Sequence, residues 1–174
     1  MTSSSADVVP VPGLRWAVKR SFLHYLSRMP DGRISATDGA VPVGDEIVWE
    51  PAPAEMSSPA RCPRGVVAFA GDLRFGGHGG ILFVRLADPW ITLRDDAGEL
   101  SVVDTFGPTP DARLSLVTFE VARREDTRRF AVLSADEVRL TDAGSEVFNK
   151  VYPAGELFES FVATWPIDPG PAGS

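Results

Sequence analysis

Two features of the sequence carry side chains that could do chemistry. Ser21 and Tyr25 stand four residues apart in a helical pattern, so a hydroxyl and a phenol share one helix face. His78 lies between two pairs of glycines on a loop that joins two predicted strands. Because glycine has no Cβ, a planar ligand could approach the backbone there and meet the imidazole. Each feature alone is weak, since tyrosine on an amphipathic helix is usually a core residue and histidine in a Gly-rich turn is usually only a turn residue.

Several other chemistries find no support in the residues. A zinc site needs three or four Cys, His or carboxylate ligands at motif spacing, whereas the chain has one cysteine, Cys62, and two histidines, His24 and His78. The Gly-x-Ser-x-Gly elbow of serine hydrolases is absent, and the glycine run around His78 lacks the Lys-Ser/Thr pair of a phosphate loop. His24 lies about 100° around the helix from Tyr25 and is expected at the surface.

Charge and composition narrow the class of protein further. The 174 residues include 17 basic and 24 acidic side chains, and the net charge of -7 disfavours nucleic-acid binding. A hydrophobic content of 44% is typical of a folded domain. No apolar run of about 18 residues predicts a membrane span, and the N-terminus lacks the charged start and apolar run of a secretory signal. Since Cys62 also has no partner for an internal disulfide, we expect a cytoplasmic protein.

One helix and a set of strands must position these residues. Apolar side chains recur at helical spacing over 14–29, where Pro30 ends the pattern, and from Gly32 onward the period is two. With 16 glycines and 15 prolines as interruptions, we expect a mainly β fold, an antiparallel β-sandwich or barrel-like domain of about ten strands, with this N-terminal helix and a short C-terminal helix. The predicted strands are 33–37, 47–50, 65–70, 72–75, 82–86, 91–94, 99–104, 113–122, 130–134, 137–140 and 158–165.

The sequence also predicts features between and within these strands. We expect a turn at 97–98 and a short helix over 142–150. Within 113–121 the alternation changes phase, which indicates a bulge or a strand covered on both faces. The single domain spans 13–166, between a flexible tail at 1–12 and a Pro/Gly-rich tail at 167–174.

Several segments carry a recognisable motif, and the first, residues 16–25, is Trp-Ala-Val-Lys-Arg-Ser-Phe-Leu-His-Tyr. It resembles the opening of the HtaA domain of actinobacterial haem-uptake proteins, Trp-x-Val-Lys-x-Ser-Phe-x-x-Tyr. Residues 65–82 resemble its central stretch, which contains a Gly-His-x-Gly turn, and 86–91 resemble the continuation. Residues 140–144, with Phe148, Tyr152, Ala154 and Gly155, fit the C-terminal part. The resemblance covers about 14–165.

The resemblance implies a haem site. In that family one haem b is bound by the helix tyrosine as axial iron ligand, and the loop histidine hydrogen-bonds the phenol oxygen. The matching residues are Tyr25 and His78, with Ser21 as an accessory. Phenols ordinarily ionise near pH 10, and hard ferric iron favours the phenolate, which a neutral imidazole N–H would orient. Further candidates are Phe22, Phe75, Phe158 and Phe161 for the apolar walls, where each could equally be a core residue, and Arg20 and Arg74 for the propionates.

These features lead us to expect an intracellular haem-binding protein that transfers or stores one ferric haem through an axial tyrosinate. A haem-dependent oxidoreductase, peroxidase-like or biosynthetic, is the alternative, and a β-sandwich interaction domain without haem is the second. The expected partners are haem and either a donor or acceptor protein or a small-molecule substrate. Nucleic acid and membrane spans are not expected, and a homodimer is left open.

Overall fold

β-Strands make up most of the chain from residue 33 onward, as the period-two pattern predicts. The computed structural model describes residues 11–53 and 65–167. The predicted tails at 1–12 and 167–174 therefore lie almost wholly outside the described residues, and Cys62 lies outside them too. In chain order the elements are β1 (Gly13–Trp16), α1 (Arg20–Arg28), β2 (Arg33–Thr37), β3 (Ala40–Val43), β4 (Glu46–Pro51), β5 (Val66–Ala70), β6 (Asp72–Gly77), β7 (Leu82–Ala87), β8 (Trp90–Arg94), β9 (Ala97–Val103), β10 (Arg113–Asp126), β11 (Phe130–Leu140), α2 (Asp142–Val147) and β12 (Phe161–Pro166).

Eight of these strands close into an antiparallel barrel. The order around it is β1, β12, β11, β10, β9, β8, β5 and β4, and β1 completes the ring by pairing with β4 as well as β12. Leu14, for example, lies opposite Ala163 on one side and Trp49 on the other. Closure of the barrel pairs the backbone N–H and C=O groups that a sheet edge would leave free. β3 pairs with β4 and extends the sheet beyond the barrel. The predicted mainly β, barrel-like fold is confirmed.

The barrel interior is filled by alternate side chains of its strands. On β11, Ala131, Leu133 and Ala135 are buried, whereas Val132 and Ser134 between them are partly exposed. This alternation is the consequence of the two-residue repeat of a strand. Six aromatic side chains are fully buried in the core of the domain: Trp16, Trp49, Phe69, Phe75, Phe148 and Phe161.

A second sheet, with the order β2, β6, β7, carries the predicted site histidine. β6 and β7 form an antiparallel hairpin in which Phe75 lies opposite Val84. The connection between them contains a single 3-10 turn, His78–Gly80. The glycine-rich run is therefore the tip of a hairpin, as its position between two strand patterns predicts.

The predicted helix over 14–29 is wrong at its beginning. Residues Gly13–Trp16 form β1, and α1 starts only at Arg20. Leu14 and Trp16 are buried while Arg15 between them is exposed, which is a strand alternation. Val18 then has a φ of 62°, in the left-handed region that a right-handed helix cannot include. The overlap of a short period-two pattern with the helical one concealed this boundary.

Other boundaries also differ from the prediction. β3 was not predicted, and the two strands expected at 130–134 and 137–140 form the one strand β11. Residues 97–98 open β9 rather than forming a turn. The phase change within 113–121 is confirmed as a bulge, because the β9–β10 register shifts between Ser115 and Val117. Of the helices formed by residues 11–53 and 65–167, none has the length and apolar character needed to cross a membrane.

Candidate functional site

Helix α1 presents Tyr25 at the edge of its buried face. Phe22 and Leu26 point into the core, while Tyr25 keeps 50% of its surface exposed. The helix ends at Arg28 because the next residue, Met29, precedes a proline and adopts an extended conformation. Tyr25 is thus fixed by its buried neighbours while its phenol faces outward.

The His78 turn packs against the end of this helix. Gly77 lies so close to Met29 that a Cβ at this position would overlap the methionine sulfur. The absence of a side chain therefore allows the β6–β7 hairpin to approach α1. Gly79 and Gly80 have a different environment, since a Cβ there would meet no atom within 4 Å.

This packing brings together the two residues singled out in the sequence. Tyr25 Oη and His78 Nε2 are 2.6 Å apart, a hydrogen bond between side chains 53 positions apart in the chain. Their ring centroids are 6.0 Å apart and the rings are tilted by 51°. A phenol can donate its proton to the imidazole, and a phenolate can accept the imidazole N–H, so this pair suits either protonation state of the oxygen.

The Tyr25 phenol and the His78 imidazole face a cavity of about 500 Å³, within the range of small-molecule sites. Ile81 and Val151 lie at this cavity with 85% and 64% of their surface exposed. Aliphatic side chains exposed around one opening are typical of a surface that receives a ligand or a partner. The lining residues are Phe22, Tyr25, His78, Ile81, Leu82, Asn149, Val151 and Tyr152.

Tyr152 is the principal lining residue that the sequence reasoning did not assign to the site. Burial raises the pKa of its phenol, a hydrogen bond from Ser21 lowers it, and the charges of Glu156 and Tyr25 raise it, so that the net pKa lies above its ordinary value. Its hydroxyl is therefore neutral at physiological pH. The Lys19 ammonium lies 5.2 Å from the ring centroid. The signal that could have identified Tyr152 is its place in the C-terminal motif, as one of two tyrosines in the chain.

Ser21, the predicted accessory residue, does not line the cavity, and its hydroxyl acts on the site only by lowering the pKa of Tyr152. The predicted wall residue Phe22 lines the cavity, whereas Phe75 lies behind it, fully buried, with the ring centroids 5.2 Å apart. Phe158 and Phe161 are core residues that do not contribute to the lining. Exposed His24 does not line it either.

The two arginines considered for propionate binding are engaged elsewhere. Arg20 pairs with Asp45 and Glu159. Arg74 and Arg85 both bind the buried Asp72 carboxylate, at 3.0 and 2.9 Å. Burial alone would raise the pKa of Asp72, but these arginine hydrogen bonds outweigh it and hold the pKa below its ordinary value. This cluster stabilises the β6–β7 hairpin on which His78 is carried.

The candidate metal ligand is the Tyr25 oxygen. Within residues 11–53 and 65–167, no three His, Cys, Asp or Glu side chains group together as a metal-binding cluster. A phenolate is a hard anionic ligand and is one of the protein groups that hold haem iron. An adjacent imidazole N–H orients such a ligand and tunes its basicity.

Comparison with known proteins places the chain in a family. The family model described as Htaa matches residues 13–164. No protein with a curated description matches the chain.

Among the solved structures that share the fold are three from one organism. The C-terminal domain of HtaA from Corynebacterium glutamicum is 27% identical, with a TM-score of 0.67, over 88% of this chain and 97% of that one. The N-terminal domain of the same protein is 21% identical, with a TM-score of 0.66, over 90% and 96% of the two chains. The haem-binding protein HtaB from the same organism is 20% identical, with a TM-score of 0.63, over 89% and 93%. With a family model that spans nearly the whole described fold, the chain belongs to the HtaA family.

Proposed function

We propose that the protein binds one ferric haem in the cavity beside Tyr25 and carries it for transfer or storage. The observation on which the proposal rests is the 2.6 Å hydrogen bond between Tyr25 Oη and His78 Nε2 at the mouth of an apolar cavity. Membership of the HtaA family supports it, and the fold is shared with HtaB, which is described as haem-binding. Tyr25 is proposed as the axial iron ligand and His78 as its hydrogen-bond donor.

The residues of the cavity suit a flat, largely apolar ligand with a metal at its centre. One phenolate supplies one coordination position, so a metal bound there must bring its other ligands with it, as porphyrin iron does. Phe22 and Leu82 offer buried apolar surface, and Ile81 and Val151 offer exposed apolar surface that a ligand would cover. The chain has one cysteine and hence no C-x-x-C-H attachment motif, which favours non-covalent haem b.

Tyr25 and His78 would act together to hold the iron. As an iron ligand Tyr25 would be a phenolate, with its proton released to solvent, and a neutral His78 ring in the Nε2–H tautomer would donate that N–H to the phenolate oxygen. This hydrogen bond fixes the direction of the oxygen and moderates its negative charge. An anionic oxygen favours ferric over ferrous iron, so one-electron reduction of the haem by an external reductant, such as dithionite in the test tube, is expected to weaken the hold of Tyr25 and favour release of the cargo.

The lining favours a carrier over an enzyme. Of the described side chains around the cavity, the titratable ones are Tyr25, His78 and Tyr152. His78 is already bonded to Tyr25, and His24 lies on the exposed side of α1. General acid–base catalysis needs a positioned group on the open side of the iron, and neutral Tyr152 is a poor candidate because its pKa is raised.

Haem titration of two matched variants tests the proposal. The only two tyrosines of the chain both line the cavity, so Tyr25→Phe and Tyr152→Phe each remove one oxygen from the same site. Wild type and Tyr152→Phe are expected to bind one equivalent with a Soret band and a phenolate-to-iron charge-transfer band. Tyr25→Phe is expected to lose the charge-transfer band and most of its affinity. A charge-transfer band that survives in Tyr25→Phe contradicts the assignment.

Transfer and turnover assays separate the carrier from the alternatives. A carrier is expected to give up haem to excess apo-myoglobin and to oxidise no organic donor with peroxide. Sustained turnover contradicts the carrier in favour of a haem-dependent enzyme, and a wild type that binds no haem indicates an interaction domain. The cytoplasmic location expected from the sequence stays a prediction, which cell fractionation tests. The oligomeric state was left open, and light scattering determines it.

A further inference from the structure

A carboxylate at the end of α1 binds the backbone of the His78 turn. Asp31 Oδ2 accepts a hydrogen bond from the Gly79 N–H at 2.7 Å, and Asp31 Oδ1 accepts one from the His78 N–H at 3.2 Å. These backbone hydrogen bonds, that from Gly79 first, hold the pKa of Asp31 below its ordinary value. Asp31 is therefore ionised at neutral pH and bridges two segments 47 positions apart.

The conformation of the turn explains why one carboxylate can receive both donors. His78 has a φ of 50° and Gly79 a φ of 65°, so two consecutive residues are left-handed. Successive N–H groups in such a turn form a concave anion-binding nest. Left-handed backbone is unfavourable for a residue with a side chain, and His78 adopts it where its imidazole meets Tyr25. The two hydrogen bonds to Asp31 stabilise this unfavourable conformation.

The hydrogen bonds of Asp31 also join the two elements that carry Tyr25 and His78. Tyr25 is on α1, Asp31 follows α1 by three residues, and His78 is at the tip of the β6–β7 hairpin. Asp31 itself is exposed and does not line the cavity. Its hydrogen bonds to the turn come from the backbone N–H groups of His78 and Gly79, which determine where the His78 side chain begins.

We propose that Asp31 is a positioning residue for His78: its carboxylate holds the turn in the left-handed conformation that directs the imidazole to Tyr25 Oη. The effect of Asp31 on haem release rests on the function proposed above. Its effect on the Tyr25–His78 hydrogen bond is a property of the apoprotein and is independent of that function.

A double-mutant cycle in the full chain distinguishes positioning from a general structural role. Asp31→Ala is expected to accelerate haem loss to apo-myoglobin by about threefold to fivefold, less than removal of the imidazole itself. In a His78→Ala background the same substitution is expected to change the rate by less than about twofold, because residues that act through one contact are not additive. Asp31→Ala should also shift the phenolate-to-iron band in the same direction as His78→Ala.

Two further variants control the experiment. Asp111→Ala removes an exposed carboxylate from the β9–β10 loop and is expected to change neither the rate nor the band. Asp31→Asn keeps the shape of the side chain and one acceptor oxygen, so its haem-loss rate is expected to lie between those of wild type and Asp31→Ala. It replaces Asp31→Ala in the experiment if that variant fails to fold.

Amide NMR of the apoprotein provides a readout that does not need haem. In Asp31→Ala, the Gly79 amide is expected to exchange with solvent faster, and the ring-to-ring Overhauser contacts between Tyr25 and His78 are expected to weaken. Equal rate changes in the wild-type and His78→Ala backgrounds, or an unchanged Tyr25–His78 contact in the apoprotein, overturn the proposal. A wild type that binds no haem refutes the proposed function, and the NMR comparison then still decides the role of Asp31.

Discussion

Replacing His78 by alanine is expected to accelerate haem dissociation by about tenfold. The substitution removes the 2.6 Å hydrogen bond to Tyr25 Oη. A hydrogen bond to a charged group contributes about 1.5–3 kcal/mol, which corresponds to about tenfold to 150-fold in affinity. Because the Tyr25 side chain is 50% exposed, water can take the place of the lost donor, and the lower end of this range applies. The rate is measured by transfer to excess apo-myoglobin.

His24→Ala is the matched control for this measurement. It removes the other histidine of the chain, one residue before Tyr25 on the same helix, but on the exposed side. His24→Ala is expected to release haem at the wild-type rate, within about twofold, as surface substitutions usually do. The reasoning is refuted if His78→Ala releases haem no faster than wild type, or if the two variants accelerate release equally.

Three other predictions concern the surroundings of this pair. Gly77→Ala is expected to destabilise the fold by about 1–3 kcal/mol in denaturant unfolding and to weaken haem binding, because the added methyl collides with Met29. Asp72→Asn is expected to lower the free energy of unfolding by about 1.5–3 kcal/mol at pH 7. The folded pKa of Asp72 lies below its ordinary 3.8, so the difference in stability between wild type and Asp72→Asn is complete above pH 3.8 and disappears as the pH falls through the folded pKa. Thermal unfolding at several pH values checks this dependence. In Tyr25→Phe the remaining phenol, Tyr152, is expected to ionise above its ordinary pKa of 10.0 in an ultraviolet titration, and Ser21→Ala should raise that pKa further.

The sequence predicts the fold class well because the strand repeat extends over most of the chain. The bulge near Ser115 was visible as a change of phase, and the end of α1 was visible at Pro30. The beginning of α1 was not, because Leu14 stands four residues before Val18 and so also fits the helical spacing, and the alternation from Leu14 to Trp16 is too short to overrule it. Closure of the barrel through β1 depends on pairing with β12 and β4, which no local pattern encodes.

In the candidate site, too, the sequence predicts what local spacing determines and misses what packing between distant segments determines. The four-residue spacing places Ser21 and Tyr25 on one helix face, and the resemblance assigned a role to His78. The spacing could not predict that Tyr152 lines the cavity beside Tyr25, or that Asp31 binds the turn of His78, since both arrangements arise from packing between distant segments. Phe75 illustrates the opposite difficulty: its residue type suits a cavity wall, but the register of β6 turns it into the core behind Phe22.

Resonance Raman spectroscopy of ferric haem-loaded Tyr152→Phe, with and without ring-deuterated tyrosine, tests the central claim most directly. Tyr25 is then the only tyrosine of the chain, so any phenolate vibration belongs to it. We predict phenolate modes under excitation of the charge-transfer band, and a shift of these modes on deuteration. A haem-loaded protein whose spectrum shows no deuterium-sensitive phenolate mode would contradict coordination of the iron by Tyr25.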